Sequence, residues 1–327
     1  MIFPEACSVM TTKTMRRMGA ALAALLLPAC TPPGAGEDDG LVSVVATTGM
    51  VADVAREVGG EHVRVTPLMG PGVDPHLYKA SEGDVRRLNG AEVIFYTGLH
   101  LEAAMGEVLE EMGRRTPVVA IGEAAPRERL RRPPEFEGQF DPHIWFDVTL
   151  WATTVDTVAA TLARVEPAHA AEFRTRAADF KRRLGELDTY VRGRAAEVPG
   201  GQRVLITAHD AFGYFGQAYG FEVRGLQGIS TASEAGTADV QGLADFIARR
   251  RIPAIFVESS IPRRTVEAVQ EAVRSRGWEV RIGGELFSDA MGNPGTPEGT
   301  YIGMVRHNID TVVGALRGSP AGPAAKQ

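Results

Sequence analysis

The sequence predicts an α/β protein of two lobes, each a mainly parallel sheet flanked by helices, joined by one long interlobe helix. Three observations carry that expectation. Short apolar, β-branched runs alternate with helical patterns in both halves of the chain, and strand, helix, strand at this spacing implies parallel strands covered by helices. Between the halves, residues 150–198 contain no strand-like run and carry one sustained helical stripe. The length, 327 residues, suits two ordinary hydrophobic cores.

In the first lobe, residues 41–149, the strand-length runs are Leu41 to Thr47, Val63 to Leu68, Val93 to Tyr96 and Val118 to Ile121. Helical patterns lie between them at Met50 to Val58, Ser81 to Leu88 and Leu101 to Met112. Ser81 with Asp84 three residues on reads as a capping box, which starts a helix there. The interlobe region, residues 150–199, has Pro167 as its one breaker before Ala168 to Glu197. There Phe173, Ala177, Phe180, Leu184, Leu187 and Val191 recur at helical spacing. At 1.5 Å per residue the stripe predicts a strut roughly 45 Å long. The second lobe, residues 200–317, repeats the pattern. Its strands are expected at Val204 to Thr207, Phe221 to Val223, Ala254 to Val257 and Glu279 to Ile282. Its helices are expected near Ala211 to Tyr219, Val240 to Arg250 and Arg263 to Arg276. Residues 318–327 are expected to be a flexible tail.

Composition narrows the function. With 35 Lys and Arg against 41 Asp and Glu, the formal charge of −6 lacks the basic face that nucleic-acid binding needs. Two cysteines make neither a disulfide scaffold nor a thiolate zinc module. Both fall at the N-terminus. Lys13, Arg16 and Arg17 precede an apolar run from Met18 to Leu27, which is too short for a comfortable membrane span and reads as an export signal over residues 1–29. Met10 and Met15 are alternative starts, because residues 1–9 add nothing that an export signal needs. Leu27-Pro28-Ala29-Cys30 resembles a lipoprotein cleavage box, so Cys30 is expected to carry lipid, with residues 30–40 as a flexible tether rich in Pro, Gly and acid. Processing takes the formal charge from −6 to −8. The expected product is a soluble body held at the outer face of a bacterial membrane.

Three of the seven histidines sit in loops at the ends of predicted elements, His76 and His143 being 67 residues apart and His143 and His209 66 apart. His76 and His143 each close an Asp-Pro-His triplet, and the proline stiffens the turn that presents the imidazole. His209 directly follows a strand, where α/β sheets line their ligand crevice. Neutral imidazoles so presented suit zinc, manganese or iron better than magnesium or calcium. Because each must be neutral to bind, affinity is expected to weaken as pH falls through about 6.

A series of motifs sharpens this. They are Gly70-Pro71-Gly72-Val73-Asp74-Pro75-His76-Leu77-Tyr78, Tyr96-Thr97-Gly98-Leu99-His100-Leu101-Glu102, Asp141-Pro142-His143-Ile144-Trp145, Thr207-Ala208-His209-Asp210-Ala211-Phe212-Gly213-Tyr214-Phe215, Val257-Glu258-Ser259-Ser260-Ile261-Pro262 and Gly284-Glu285-Leu286-Phe287-Ser288-Asp289-Ala290-Met291-Gly292. In this order, over residues 41 to about 317, the chain resembles the periplasmic metal-binding proteins of ABC transporters, the family of TroA, ZnuA and the PsaA-type lipoproteins, and most of all its TroA branch. The resemblance implies a cargo metal held in the interlobe cleft by His76 and His143 from the first lobe and His209 and Asp289 from the second. It implies a cognate ABC permease as partner, a monomeric receptor and no enzymatic activity. Three imidazoles and one carboxylate leave a divalent ion with a residual charge of +1. Asp289 bound through one oxygen would suit tetrahedral zinc, and through both would better tolerate manganese or iron. The manganese branch usually has Glu where this chain has His209, whereas zinc-specific relatives often carry a His-rich loop absent from Glu123 to Asp141. Zinc and manganese both stay open, with iron third.

The remaining candidates take plainer readings. His62, His169 and His307 are expected at the surface or in packing, and His100 as a cap or packing residue before its helix. Asp74, Asp141, Asp147, Asp210 and Glu258 are possible acceptors for the far imidazole N–H groups. Ser230 to Ser233 reads as a polar loop, and Arg131, Arg132 and Arg249 to Arg251 as exposed charge. No Gly-x-Gly-x-x-Gly, Walker loop or Gly-x-Ser-x-Gly is present. A zinc hydrolase using the same histidines is the alternative, but it needs an open coordination position and a base. Structural zinc is a third reading.

Overall fold

The computed structural model describes residues 40–136 and 138–318. The signal, Cys7, Cys30, the tether to residue 39 and the tail from residue 319 lie outside the described residues.

The first half is built from β1 (Val42–Ala46), α1 (Gly49–Gly59), β2 (Val63–Pro67), α2 (Glu82–Asn89), β3 (Val93–Tyr96), α3 (Gly106–Met112) and β4 (Val118–Ala120). All four strands pair in parallel, in the order β2-β1-β3-β4. Val42, Val44 and Ala46 of β1 and Val93 and Phe95 of β3 face one apolar core, while Val45 and Ile94 face another. A strand sends successive side chains to opposite faces, so unbroken apolar runs are what a sheet covered on both sides requires. Ser81 caps α2 as its sequence predicts. Its hydroxyl accepts from the Asp84 amide at 3.2 Å, and the Asp84 carboxylate accepts from the Ser81 amide at 2.9 Å.

The helix expected from Leu101 starts later. Gly98, Leu99 and His100 have φ of 79°, 53° and 73°, a one-turn 3₁₀ segment covers Ala103–Met105, and only then does α3 begin. The buried Glu102 carboxylate accepts from the Thr97 and Gly98 amides at 2.8 and 3.0 Å and from the Thr47 hydroxyl at 2.7 Å. The segment therefore folds back onto its own side chain before it can become helical.

Two short helices, α4 (Val148–Trp151) and α5 (Thr154–Val165), lead to α6 (Ala170–Ala196), whose 27 residues span about 40 Å. Its stripe, Phe173, Ala177, Phe180, Leu184, Leu187 and Val191, is buried throughout. This face packs against α1, α4 and α5 and against helices of the second half, so one continuous core runs along α6.

The second half contains β5 (Val204–His209), α7 (Gly213–Tyr219), β6 (Glu222–Gln227), α8 (Thr237–Arg250), β7 (Ala254–Glu258), α9 (Arg264–Arg274), β8 (Arg281–Leu286) and α10 (Tyr301–Leu316). Its strands form two parallel pairs, β5 with β6 and β7 with β8, and β7 runs beside β5. Leu205, Ala254 and Phe256 face the core along α6, whereas Ile206, Ile255 and Val257 face a second core with apolar residues of α8 and α9. β6 and β8 lie further along the chain than the apolar runs suggest. Both carry polar residues and glycines where the run would continue, and both are only partly buried. At Gly225 of β6 a Cβ would meet the Asp210 amide nitrogen at 2.3 Å, so the chain just after His209 passes too close for any side chain there.

Candidate metal centre

His76 lies in the loop after β2, beyond a turn in which Gly72 takes a left-handed φ of 72°. Both Asp-Pro-His triplets use one local device, an aspartate accepting from the histidine amide two residues on. Asp74 Oδ1 takes the His76 amide at 2.9 Å, and Asp141 Oδ1 takes the His143 amide at 3.0 Å. In the second triplet the same oxygen also accepts from His143 Nδ1 at 2.8 Å. Asp141 is itself held by Arg131, 2.6 Å from its Oδ2. The Tyr214 hydroxyl links these loops, accepting from the Arg131 amide at 3.0 Å and donating to the Asp141 carbonyl at 2.9 Å. The reading of Arg131 as exposed charge is thus corrected: it is a partly buried support for the aspartate that orients His143.

His209 is the last residue of β5, and Glu258 is the last of the neighbouring β7. Glu258 Oε1 accepts from the Ala208 and His209 amides at 2.6 and 3.0 Å, and Oε2 accepts from His209 Nδ1 at 2.5 Å. Asp289 follows β8 in a loop pinned on both sides. Asn308 of α10 brackets Phe287, accepting from its amide at 2.9 Å and donating to its carbonyl at 2.7 Å. Trp145 Nε1 donates to the Ser288 carbonyl at 3.0 Å from the far half of the chain.

These scaffolds bring His76, His143, His209 and Asp289 together, with one potential donor atom from each within 4.8 Å of the others, and all four are buried. His143 Nε2 is 3.4 Å from Asp289 Oδ1, and His209 Nε2 is 3.2 Å from Asp289 Oδ2. His76 Nε2 is 3.3 Å from His143 Nε2 and 3.8 Å from Asp289 Oδ2. Despite this closeness, His209 Nε2 and both Asp289 oxygens lack hydrogen-bond geometry to any partner. Buried polar atoms are almost always paired, so lone pairs converging without a bond fit a divalent cation between them. Nδ1–H bonds to Asp141 and Glu258 fix the tautomer that leaves Nε2 free to ligate.

The electrostatics are uneven. Burial pushes the His76 imidazole down to about 3. His143 is also desolvated, but its hydrogen bond to Asp141 and the Asp289 carboxylate beside it outweigh this and lift it to about 9. For His209, burial is overcome by the Glu258 and Asp289 carboxylates, which raise it well above its ordinary value. The His209 and His143 imidazoles in turn hold Asp289 well below the usual carboxylate range against its burial. The carboxylates that raise these two imidazoles are the same negative charge that would attract a cation between them.

Of the five acids considered, Asp141 and Glu258 reach imidazole Nδ1 atoms. Asp74 instead joins the His76 amide to the Thr231 hydroxyl, 2.6 Å away in the polar loop of the second half. Asp147 caps α4 through the Thr149 and Leu150 amides, and Asp210 is partly buried, its carboxyl raised by desolvation. His100 is exposed in its left-handed turn, outside the cluster. His307 packs on Phe287 and reaches the Glu285 carbonyl at 2.9 Å. Asn308 and Trp145, which support the Asp289 loop, carry no signal of that role in the sequence. Asn308 sits inside a helix, and nothing local to Trp145 pairs its indole with the Ser288 carbonyl 143 residues away.

A profile of the family described as zinc-uptake complex component A, periplasmic (ZnuA) matches residues 44–315. The chain belongs to this family. It is 54% identical over 279 residues to the zinc-binding protein TroA of Treponema pallidum, covering 85% of this chain and 90% of that one. It is 49% identical over 297 residues to the manganese-binding lipoprotein MntA of Bacillus subtilis, covering 90% and 96%. The solved structure of the periplasmic zinc-binding protein TroA from Treponema pallidum matches with a TM-score of 0.83 over 85% of this chain and 99% of that one. The two family members are named for different metals at nearly the same identity, so overall kinship does not separate zinc from manganese. Among the described residues no helix is long and apolar enough to cross a membrane.

Proposed function

We propose that the chain is an extracytoplasmic solute-binding protein that captures a divalent transition metal, zinc or manganese before iron(II), and delivers it to an ABC permease. In this reading His76, His143, His209 and Asp289 are the ligands. The observation that carries it is the convergence of His209 Nε2 and both Asp289 oxygens, buried and unbonded, on the two other imidazoles. The names of the family's relatives support it.

The arrangement suits reversible capture. Two donors come from each half of the chain, so a small separation of the halves dismantles the site, whereas a structural metal is normally held within one folding unit. The buried donors exclude bulk water, which strengthens their attraction for the cation. Thr231 bonded to Asp74 closes the cleft beside His76. A zinc hydrolase needs an open coordination position for water and a base to activate it. Four converging buried donors argue against one, and we read the protein as a receptor and not an enzyme. Cys30 would carry the lipid that holds this monomeric receptor at the membrane near its permease.

Elemental analysis of protein purified without added metal should find about one tightly held equivalent of zinc or manganese. His76→Ala with His209→Ala should weaken zinc binding in chelator competition by more than about 100-fold, beyond what loss of a supporting hydrogen bond causes. Unchanged titrations would remove these residues from the account, and esterase or phosphatase turnover that tracks zinc occupancy would revive the hydrolase.

A further inference from the structure

We infer that His62, His169 and Glu172 form a second site for a divalent transition metal, on the surface and separate from the buried cluster. His62 ends the 3₁₀ turn between α1 and β2, His169 ends the 3₁₀ turn before α6, and Glu172 lies in the first turn of α6. His62 and Glu172 are 110 residues apart in sequence, and the packing of α1 on α6 brings them together.

The donors are already gathered. Glu172 Oε2 is 2.7 Å from His62 Nε2, its Oε1 is 3.4 Å from His169 Nδ1, and one donor from each residue falls within 4.8 Å of the others. The two imidazole rings stack at 3.7 Å with 16° between their planes, and Phe173 packs edge-on against both. This leaves the rings little freedom to lose on binding. The base is firm as well, because Arg176, one turn along α6, donates to the Glu57 carbonyl of α1 at 3.1 Å.

Two imidazoles and one carboxylate are a borderline donor set that favours zinc, nickel or copper(II) over magnesium or calcium. With His62, His169 and Glu172 side chains 17%, 37% and 57% exposed, water completes the coordination sphere. The site is therefore weaker than a buried four-donor one and exchanges with the medium. A metal here clamps the α1–β2 turn to the start of the long helix, so it also raises the stability of the folded chain by mass action. This inference is independent of the proposed function, since it uses none of the buried donors.

The test is an equilibrium zinc titration of the full chain. Wild type should show a tight step followed by a weaker one. His62→Ala with His169→Ala should lose the weaker step and keep the tight one, while His76→Ala with His209→Ala should do the reverse. Glu172→Gln keeps both rings in place and should weaken the second step at least about tenfold. Magnesium in excess should leave that step in place. A wild-type titration without a second step overturns the inference, as does a second step that survives the surface substitutions.

Discussion

His76 and His143 are aimed by their own loops, whereas His209 and Asp289 are aimed by partners brought from far along the chain. In each Asp-Pro-His triplet the orienting carboxylate is two residues from the histidine it holds. On the other side of the cluster, Glu258 lies 49 residues from His209, and the Asp289 loop depends on Asn308 of α10 and on Trp145 from the first half. Local orientation keeps the carboxylate and its histidine in one loop, although Thr231 and Tyr214 of the second half also hold those loops. Long-range orientation ties the donor to the packing of strands and helices, so it registers whether the fold is closed.

Protonation divides the cluster along a different line, setting His76 apart from His143 and His209, and it gives the largest expected effect. His76 is neutral, while His143, lifted to about 9, and His209, raised well above its ordinary value, hold protons in the metal-free chain at neutral pH. Metal binding must expel both, so apparent affinity should rise up to about 100-fold per pH unit between pH 6 and 8. The sign follows from the raised values: protonated imidazole competes below them, and the competition fades only as pH rises through them. This moves the pH-sensitive window above the value of about 6 expected for unperturbed imidazoles. Calorimetry in buffers of different ionisation enthalpy should count about two protons released per metal. Affinity that is flat over this range would break the contrast between His76 and the other two.

Glu258→Gln and Asp141→Asn test the supports directly. Glu258 uses one oxygen for two backbone amides and the other for the imidazole, so an amide must abandon one task. Asp141 serves both the amide and the imidazole of His143 with one oxygen, and an asparagine oxygen can retain both while losing Arg131. The expected loss of zinc affinity is therefore about 100-fold for Glu258→Gln and nearer tenfold for Asp141→Asn. Only the former should also lower Tm, because it loosens β5 from β7. Equal losses in chelator competition would show that distance in sequence has no bearing on how much a support matters.

An effect on stability alone, with none on zinc affinity, concerns a tie between the halves away from the metal. Asp53 of α1, 6% exposed, accepts from the Tyr301 amide at the start of α10 at 3.0 Å. Burial lifts its carboxyl from 3.8 to about 6. Its folded-state value is raised, so the associated stability is complete below the unfolded value and lost as pH rises through about 6. Asp53→Asn keeps an acceptor oxygen without the buried charge. It should gain about 2 kcal/mol at pH 7.5 and flatten the pH dependence of urea midpoints between pH 4 and 7, with zinc affinity unchanged.

Much of the fold was legible because its signals are local. The α6 stripe and the Ser81 capping box repeat at fixed spacing, and the α/β alternation follows from runs of apolar residues buried on both faces. β6 and β8 read short in the sequence because partly buried strands carry polar residues and glycines that mimic loops. The helical pattern from Leu101 starts ahead of α3 because the intervening turn is held by a buried carboxylate, and nothing local in Glu102 marks it as buried. At the candidate centre, the Asp-Pro-His triplets singled out His76 and His143 from chemistry and spacing, and His209 followed from its place at a strand end. Asp289 came only through family resemblance, since a lone aspartate in a loop has no spacing signal.

The sequence by itself determined the alternating elements, the long helix and the stiff loops that present two histidines, because these depend on neighbours within a few residues. Tertiary structure decided the rest. It set Glu258 under His209, Trp145 against Ser288 and His62 over His169, since each pairing joins residues far apart along the chain. Proton affinity in the cluster was decided there too, because desolvation and neighbouring charge exist only once the chain has folded around them.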